Sequence, residues 1–202
     1  MPLPVADTFE RSHIDILTTL PTTKEGYTHI LLIVDSFSRW SEAFPLKTQE
    51  AQEIANILYN EIFTRYGAPT SLVTNRGANF VSKLIQAICE LFQVTKQQTS
   101  SYPESNSTCE RLNSAIAQTL RTYCDKNQLN WAKLLPSIMM AIRMSPNTES
   151  TGFSPYHMVF GKEMNIPFDI SILPKENMSK SAKEHLQELI DHLKVNKYLD
   201  KT

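Results

Sequence analysis

The sequence predicts an α/β fold: a five-stranded mixed sheet flanked by helices, with additional helices in the C-terminal half. Short β-rich runs bounded by turn residues alternate with runs whose apolar residues recur every three or four positions. The 202 residues are 41% hydrophobic and 20% charged, a composition that supports one sizeable core and differs from that of a disordered chain. We therefore expect one globular domain with short tails.

The first half of the chain contains the main strand signals. Three β-rich runs, HIDIL, YTHILLIVD and WSEAFPL, are separated by short turns and predict an antiparallel meander. The run QEAQEIANILYNEIFTRYG predicts an amphipathic helix, because Ile54, Leu58 and Ile62 are four residues apart and Gly67 is a typical C-terminal stop. SLVT is the predicted fourth strand.

The second half is predicted to be mostly helical. Residues 81–92 have the apolar spacing of a helix, and residues 94–99 form a candidate fifth strand. After the loop SSYPESNS, the expected helices are Cys109–Lys126, Trp131–Met144 and a short one that Ser154 caps and Pro155 begins. A last segment, residues 181–197, has an apolar stripe suited to packing against the domain or a neighbouring chain.

Composition excludes several classes of protein. The longest apolar run, Ile30–Val34, is too short to cross a bilayer, so we expect a soluble, intracellular protein of the nucleus or cytoplasm with no membrane partner. The three cysteines lack the spacing of a disulfide framework or a zinc site. With a formal net charge of −1, the chain should bind nucleic acid weakly or with help.

Three polar residues stand out once the elements are placed. Asp15 lies inside the first strand, Asn75 follows the fourth, and Glu110 is in the first turn of a predicted helix. If the first and fourth strands are neighbours, these residues could meet at the edge of the sheet. Gathered carboxylates repel one another unless cations lie between them, and paired divalent metals are a standard device for phosphoryl displacement. Such a site would hold Mg²⁺.

Each residue also has a structural interpretation. Glu110 stands three residues after Ser107, which is the spacing of a capping box. Asn75 is followed by Arg76 and Gly77 and could be a turn residue. A carboxylate such as Asp15 in an apolar strand is harder to explain, because burial is costly unless the charge is paired or bound to metal.

The helix that contains Glu110 has two different faces. Leu112, Ile116 and Leu120 form its inward stripe, and Glu110 falls roughly opposite. Several polar residues are expected broadly on the side of Glu110: Asn113, Ser114, Gln118 and Arg121. That face has one basic residue, so it could equally be a solvated surface.

Five segments together resemble the integrase catalytic core of gypsy-type LTR retrotransposons, which is related to retroviral integrases: HIDIL, ILLIVDSFSRWSEAFPLK, LVTNRGANFVSK, SYPESNSTCERLN and TGFSPYHMVFGK. Their order and spacing match the family over about residues 11–168. The resemblance implies an RNase H-like fold in residues 11–168, an N-terminal tail or linker at residues 1–10, and a C-terminal linker with an amphipathic helix at residues 169–202.

The resemblance also implies a DDE-type polynucleotidyl transferase. The family's three metal-binding carboxylates carry over to Asp15, Asn75 and Glu110, with Mg²⁺ or Mn²⁺ as the cofactor. We expect Arg111, Asn113 and Arg121 to bind DNA. The expected partners are element ends, target DNA and further copies of the chain in a homodimer or higher oligomer. Asp35, where the family commonly has an aspartate, is expected to be a turn and scaffold residue.

The sequence departs from the family pattern in three places. The family motif usually reads (S/T)DRG, and here the letters are TNRG, which puts Asn75 in place of an aspartate. Tyr102 is followed directly by Pro103, so a histidine common in the family is missing, and the spacing from Asn75 to Glu110 is one residue shorter. The approach DTFERSHID is also one residue shorter than usual. These departures suggest a degenerate copy.

An asparagine at the second position should weaken the cofactor site. An amide oxygen lacks the full charge of the carboxylate that suits Mg²⁺. Loss of about 4 kcal/mol of transition-state stabilisation corresponds to roughly thousandfold slower chemistry. Two functions therefore remain open: an impaired integrase core that processes 3′ ends and transfers strands, or a non-catalytic nucleic-acid-binding or protein-interaction module derived from one.

Overall fold

Five strands form one mixed sheet, as the sequence predicts. The computed structural model describes residues 7–18, 20–75, 77, 80, 82–98, 103–124, 129–147 and 151–165, and gives only the backbone of residues 98, 103–110 and 123. The strands are β1 (Arg11–Leu17), β2 (His29–Asp35), β3 (Ser41–Leu46), β4 (Ser71–Thr74) and β5 (Thr95–Gln98). Their order across the sheet is β3-β2-β1-β4-β5.

The pairing of the strands confirms the predicted topology. β1 pairs with β2 and β2 with β3 in antiparallel register, which is the expected meander. β4 lies parallel to β1 on its other side, and β5 lies parallel to β4. The first and fourth strands are therefore neighbours, and their carboxyl ends share one edge of the sheet.

Five helices accompany the sheet in the described part of the chain. The first, α1, comprises Ala51–Ile57, a π-helical segment Leu58–Phe63 and a final turn Thr64–Tyr66. The others are α2 (Lys83–Leu91), α3 (Pro103–Tyr123), α4 (Trp131–Met144) and α5 (Pro155–Phe160). None of the described helices is both long and apolar enough to cross a bilayer.

Two apolar clusters, one on each face of the sheet, form the core. One contains Ile14, Leu31 and Leu72 with residues of α1 and α2. The other contains Leu32 and Val34 with residues of α3 and α4, including Ile116 and Leu120 of the predicted inward stripe. Because alternate residues of a strand face opposite sides, Ile14 faces the α1/α2 layer while its neighbours His13 and Asp15 face the α3/α4 layer.

The structure corrects one helix boundary. We expected residues 103–107 in a loop and a helix from Cys109, but α3 begins at Pro103. Ser107 and Glu110 therefore both lie inside the helix, and the capping-box interpretation is wrong because a cap residue precedes the first helical residue. The predicted fifth strand is confirmed at Thr95–Gln98. The expected C-terminal linker and amphipathic helix lie outside the described residues.

The short helix α5 begins as predicted. The Ser154 hydroxyl accepts a hydrogen bond from the His157 backbone N–H at 3.0 Å, and Pro155 is the first helical residue. Tyr156 and Phe160 of this helix pack against Trp40, with ring centroids 6.2 Å and 5.5 Å away. The segment TGFSPYHMVFGK thus packs against Trp40, the residue that precedes β3.

Candidate active site

The parallel pairing of β1 and β4 brings two predicted site residues together. Ile14 is opposite Thr74 in the register, and Asp15 and Asn75 are the next residues along each chain. The Asn75 amide Nδ2 donates a hydrogen bond to Asp15 Oδ1 at 2.9 Å. The prediction that these two residues meet at the edge of the sheet is confirmed.

The orientation of the Asn75 amide is fixed by its other end. The Gly77 backbone N–H donates to Asn75 Oδ1 at 2.9 Å, and only the oxygen of an amide can accept this bond. The NH₂ group must then face Asp15. A side-chain oxygen that accepts from the N–H two residues later is an Asx turn, so Asn75 is the turn residue that the sequence suggested, and its role as a site residue stays a prediction.

Asn113 on α3 supplies a second amide. Its Nδ2 donates to Asp15 Oδ2 at 2.8 Å, and the Ile16 backbone N–H donates to Asp15 Oδ1 at 2.9 Å. Both carboxylate oxygens of Asp15 thus accept hydrogen bonds from N–H donors. We expected Asn113 on the side of the helix that contains Glu110, and left open whether that side is solvated; the structure shows that the Asn113 side chain contacts Asp15. Asn113 Oδ1 is buried and has no hydrogen-bond partner among the described residues.

The link between Asn113 and Asp15 was not predicted, although the sequence contained a signal for it. Asn113 comes three residues after Glu110, and residues at this spacing lie on the same side of a helix. A helix that placed Glu110 over the end of β1 would also bring Asn113 there. The helical periodicity placed Asn113 on the side of Glu110, opposite the apolar stripe, but it cannot distinguish an exposed amide from one that contacts a carboxylate.

For Glu110, the structure describes only the position of the backbone. It lies within α3, one turn before Asn113, and α3 packs across β1 and β2. Its side chain is outside the described part of the structure, so its role at the site stays a prediction. Arg111 and Arg121 on the same helix are exposed, and Arg121 borders a small cleft lined also by Leu17 and Trp131.

His13, which shares a face of β1 with Asp15, adds no positive charge to the site. His13 lies two positions earlier on the same face and is buried. Burial, reinforced by the nearby cations Arg39 and Arg11, lowers the pKa of His13 to about 4. His13 is therefore neutral at pH 7.

The described side chains at Asp15 and Asn75 do not fit a site for two cations. Such a site needs several carboxylate oxygens that point at the metals. Here Asp15 accepts N–H groups on both oxygens, and Asn75 presents its NH₂ group rather than an oxygen. Among the described side chains, no group of three His, Cys, Asp or Glu residues is placed to hold a metal ion.

Asp35 has the scaffold role that the sequence suggested. Its buried carboxylate accepts hydrogen bonds from the Ser38 backbone N–H at 2.7 Å and the Ser38 hydroxyl at 2.6 Å, and from the Phe9 backbone N–H at 2.9 Å. Burial raises the pKa of Asp35, and the donors of Ser38 and Phe9 partly offset this effect. Asp35 thus ties the N-terminal segment to the β2–β3 turn.

Comparison with known proteins places this geometry in context. Residues 8–102 match the family described as the integrase core domain. The chain is 30% identical over 179 residues to the Gag-Pol polyprotein of avian reticuloendotheliosis virus, a match that covers 88% of this chain and 15% of that protein. It is 34% identical over 167 residues to the Pol polyprotein of radiation murine leukemia virus, covering 81% of this chain and 28% of the relative. The chain therefore spans less than a third of the length of each of these relatives.

A solved structure has the same fold. The catalytic core domain of HTLV-2 integrase, in a structure described as a trimeric form in complex with magnesium, aligns with a TM-score of 0.57 and 16% identity. The alignment covers 75% of this chain and 97% of that one. Together with the five-stranded sheet and its flanking helices, this confirms the predicted RNase H-like architecture. Residues 8–102 of this chain thus match the integrase core domain family, and the relatives of similar sequence are retroviral polyproteins.

Proposed function

We propose that this chain is the integrase catalytic core of a gypsy-type LTR retroelement, in a degenerate copy with impaired chemistry. The ancestral reaction is metal-dependent polynucleotidyl transfer, which trims element DNA ends and joins them to target DNA. Asp15, Asn75 and Glu110 occupy the three catalytic and metal-binding positions. The change from carboxylate to amide at Asn75 disables the second of them.

One observation carries this proposal. Asn75 lies beside Asp15 at the carboxyl ends of two parallel strands, which is where a catalytic pair of carboxylates would lie, but it donates a hydrogen bond at 2.9 Å. Divalent cations would supply activation of the attacking oxygen and charge neutralisation at the phosphate. A neutral amide that faces Asp15 with its NH₂ group offers no charge to hold them.

The proposed partners follow from the relatives. The solved structure is described as an integrase core with magnesium in a trimeric form, and we extend to this chain the binding of Mg²⁺ or Mn²⁺, weakened here, and assembly into a homodimer or higher oligomer. The DNA partners are element ends and target DNA. Arg111, Asn113 and Arg121 are the proposed DNA-contacting positions on α3.

The alternative function is a non-catalytic module for nucleic-acid binding or protein interaction. The hydrogen bonds on Asp15 favour it, because they give the site a stable arrangement that does not involve catalysis. Both functions predict that the native chain has little or no joining activity. They differ in the joining activity that they predict for a chain whose site has been repaired.

A strand-transfer and nicking assay in Mn²⁺ tests the proposal. The native chain is compared with Asn75→Asp and with a repaired chain that also has a histidine inserted between Tyr102 and Pro103. We expect the repaired chain to join or nick DNA at least about a thousandfold faster than the native chain, because a charged ligand returns to the site.

The matched control is the repaired chain with Asp15→Asn, which should be as inactive as the native chain. Joining by the unrepaired chain at a comparable rate would overturn our interpretation of Asn75. A repaired chain that stays inactive while folding normally and binding DNA would favour the non-catalytic module.

A further inference from the structure

We propose that the side chain of Asn75 replaces the divalent cation as the element that holds the carboxyl ends of β1 and β4 together. The site would then be folded and stable without a metal ion. This inference deepens the proposed function, since it rests on Asn75 occupying a former metal-binding position. It differs from a simple loss of a ligand, because it assigns the asparagine a stabilising role.

The first step is the geometry of the position. The Gly77 N–H fixes one end of the Asn75 side chain at 2.9 Å, so the other end must project towards Asp15. If an aspartate took the same rotamer, its second oxygen would lie where Nδ2 now lies, 2.9 Å from Asp15 Oδ1. Two anionic oxygens at this distance repel unless a cation or a proton lies between them. With an amide at position 75, the same two groups attract each other, because the NH₂ group donates a hydrogen bond to Asp15 Oδ1.

The second step concerns the rest of Asp15. Its other oxygen accepts from Asn113 Nδ2 at 2.8 Å, and the Ile16 N–H adds a third donor. Hydrogen bonds to the charged form stabilise a partly buried carboxylate, as a cation would. Two amides from two different elements therefore do at Asp15 what a metal would otherwise do.

The third step is the cost of admitting a metal. A cation that lies between Asp15 Oδ1 and position 75 must displace the NH₂ group of Asn75, or that amide must rotate to present its oxygen. Rotation of Asn75 would break its bond with Gly77 and bring two N–H groups face to face. The described arrangement thus opposes metal binding and makes the stability of the domain independent of it.

Thermal unfolding of the full chain tests the inference, in EDTA and in millimolar Mg²⁺ or Mn²⁺. The native chain should melt at the same temperature in both. Asn75→Asp should melt lower in EDTA, by about 5 °C or more for a domain of this size, and should recover in the presence of metal. Asn75→Ala removes the bond without adding charge, so it should lose less stability and show no recovery with metal.

Asn56→Asp is the matched control, since it makes the same chemical change at an exposed position of α1. It should melt like the native chain in both buffers. The inference fails if Mg²⁺ or Mn²⁺ stabilises the native chain, or if Asn75→Asp is as stable as the native chain in EDTA. It also fails if Asn75→Asp does not fold even with metal, because the cation then cannot take the place of the amide.

These melts contain no DNA, so their outcome is separate from that of the joining assay. Metal-independent melting of the native chain, together with metal-dependent melting of Asn75→Asp, would support the inference even if the repaired chain joins no DNA. A native chain that joins DNA in Mn²⁺ and melts higher with it would overturn both proposals.

Discussion

Single polar groups determine the electrostatics at the end of β1. His13 and Asp15 alternate with the core residue Ile14, so both face the α3/α4 layer. His13 is held neutral by burial and by the arginines near it, and Asp15 is stabilised by amide and backbone N–H donors. The charge of Asp15 is thus compensated by dipoles from β1 itself, from the residue that follows β4 and from α3.

The low pKa of His13 predicts how stability depends on pH. The pKa falls from 6.5 to about 4 on folding, so the unfolded state binds more protons between these values. The contribution of His13 to the free energy of unfolding should therefore be fully present above pH 6.5. It should decrease as the pH falls towards 4, by up to about 3 kcal/mol.

Chemical denaturation across this pH range measures the effect. His13→Gln should remove this part of the pH dependence while leaving other acid-sensitive groups in place. NMR titration of the His13 ring gives an independent check. A ring that titrates near its ordinary value in the folded protein would contradict the prediction.

A largely buried ion pair at the edge strand β3 joins three elements of the fold. Arg143, in the last turn of α4, contacts the Glu42 carboxylate on β3 and donates to the Ser41 carbonyl at 2.8 Å. Its guanidinium lies over the Trp40 ring, 4.7 Å from the centroid. The Tyr66 hydroxyl donates to the same carboxylate at 2.5 Å. One carboxylate thus connects β3, α1 and α4.

This cluster predicts a large loss of stability for Arg143→Ala. The substitution leaves the Glu42 charge buried without its cation, which costs about 3 to 5 kcal/mol for a buried pair. Chemical denaturation measures the change in the free energy of unfolding. The control is Arg65→Ala, which breaks an exposed pair with Glu61 and should change stability by less than about 1 kcal/mol. Equal effects of the two substitutions would show that the Arg143 pair is not stabilising.

The predicted and observed elements differ where the apolar pattern is ambiguous or absent. The spacing of Ile54, Leu58 and Ile62 predicts a regular α-helix, but Leu58–Phe63 is π-helical. In a π-helical segment one extra residue is accommodated, and here Ile62 and the adjacent Phe63 are both buried. The start of α3, PESNST, was missed because it has no apolar periodicity to reveal a helix.

At the scale of the whole molecule, sequence patterns predicted the five strands and the initial meander better than the details of the site. Alternating and periodic apolar residues determine which face of each element is buried, whereas the adjacency of β1 and β4 was a condition that the structure meets. The orientation of the Asn75 amide depends on the backbone N–H of Gly77, and the contact of Asn113 depends on how α3 lies across the sheet. No local pattern encodes either.

The charge of the whole chain predicts how it binds DNA. A net charge of −1 gives little general attraction to phosphates, so binding should be weak and depend on a few cations. Replacing both Arg111 and Arg121 by Ala should reduce the slope of log affinity against log salt by about 2 if each contacts a phosphate.

Fluorescence anisotropy with labelled duplex DNA at several salt concentrations measures this slope. Lys83→Ala, an exposed cation on α2, serves as the control and should leave the slope unchanged. An unaltered slope in the double arginine variant would remove Arg111 and Arg121 from the DNA-contacting surface.

The pairing of β1 with β4 also has a kinetic consequence. The hydrogen bond from Asn75 to Asp15 joins residues 60 apart in the chain, and that from Asn113 joins residues 98 apart. Contacts of such long range must overcome loop-closure entropy, so they form late and slowly compared with the local β1–β2–β3 meander. During synthesis, Asp15 therefore lacks the hydrogen bond from Asn113 until α3 has left the ribosome.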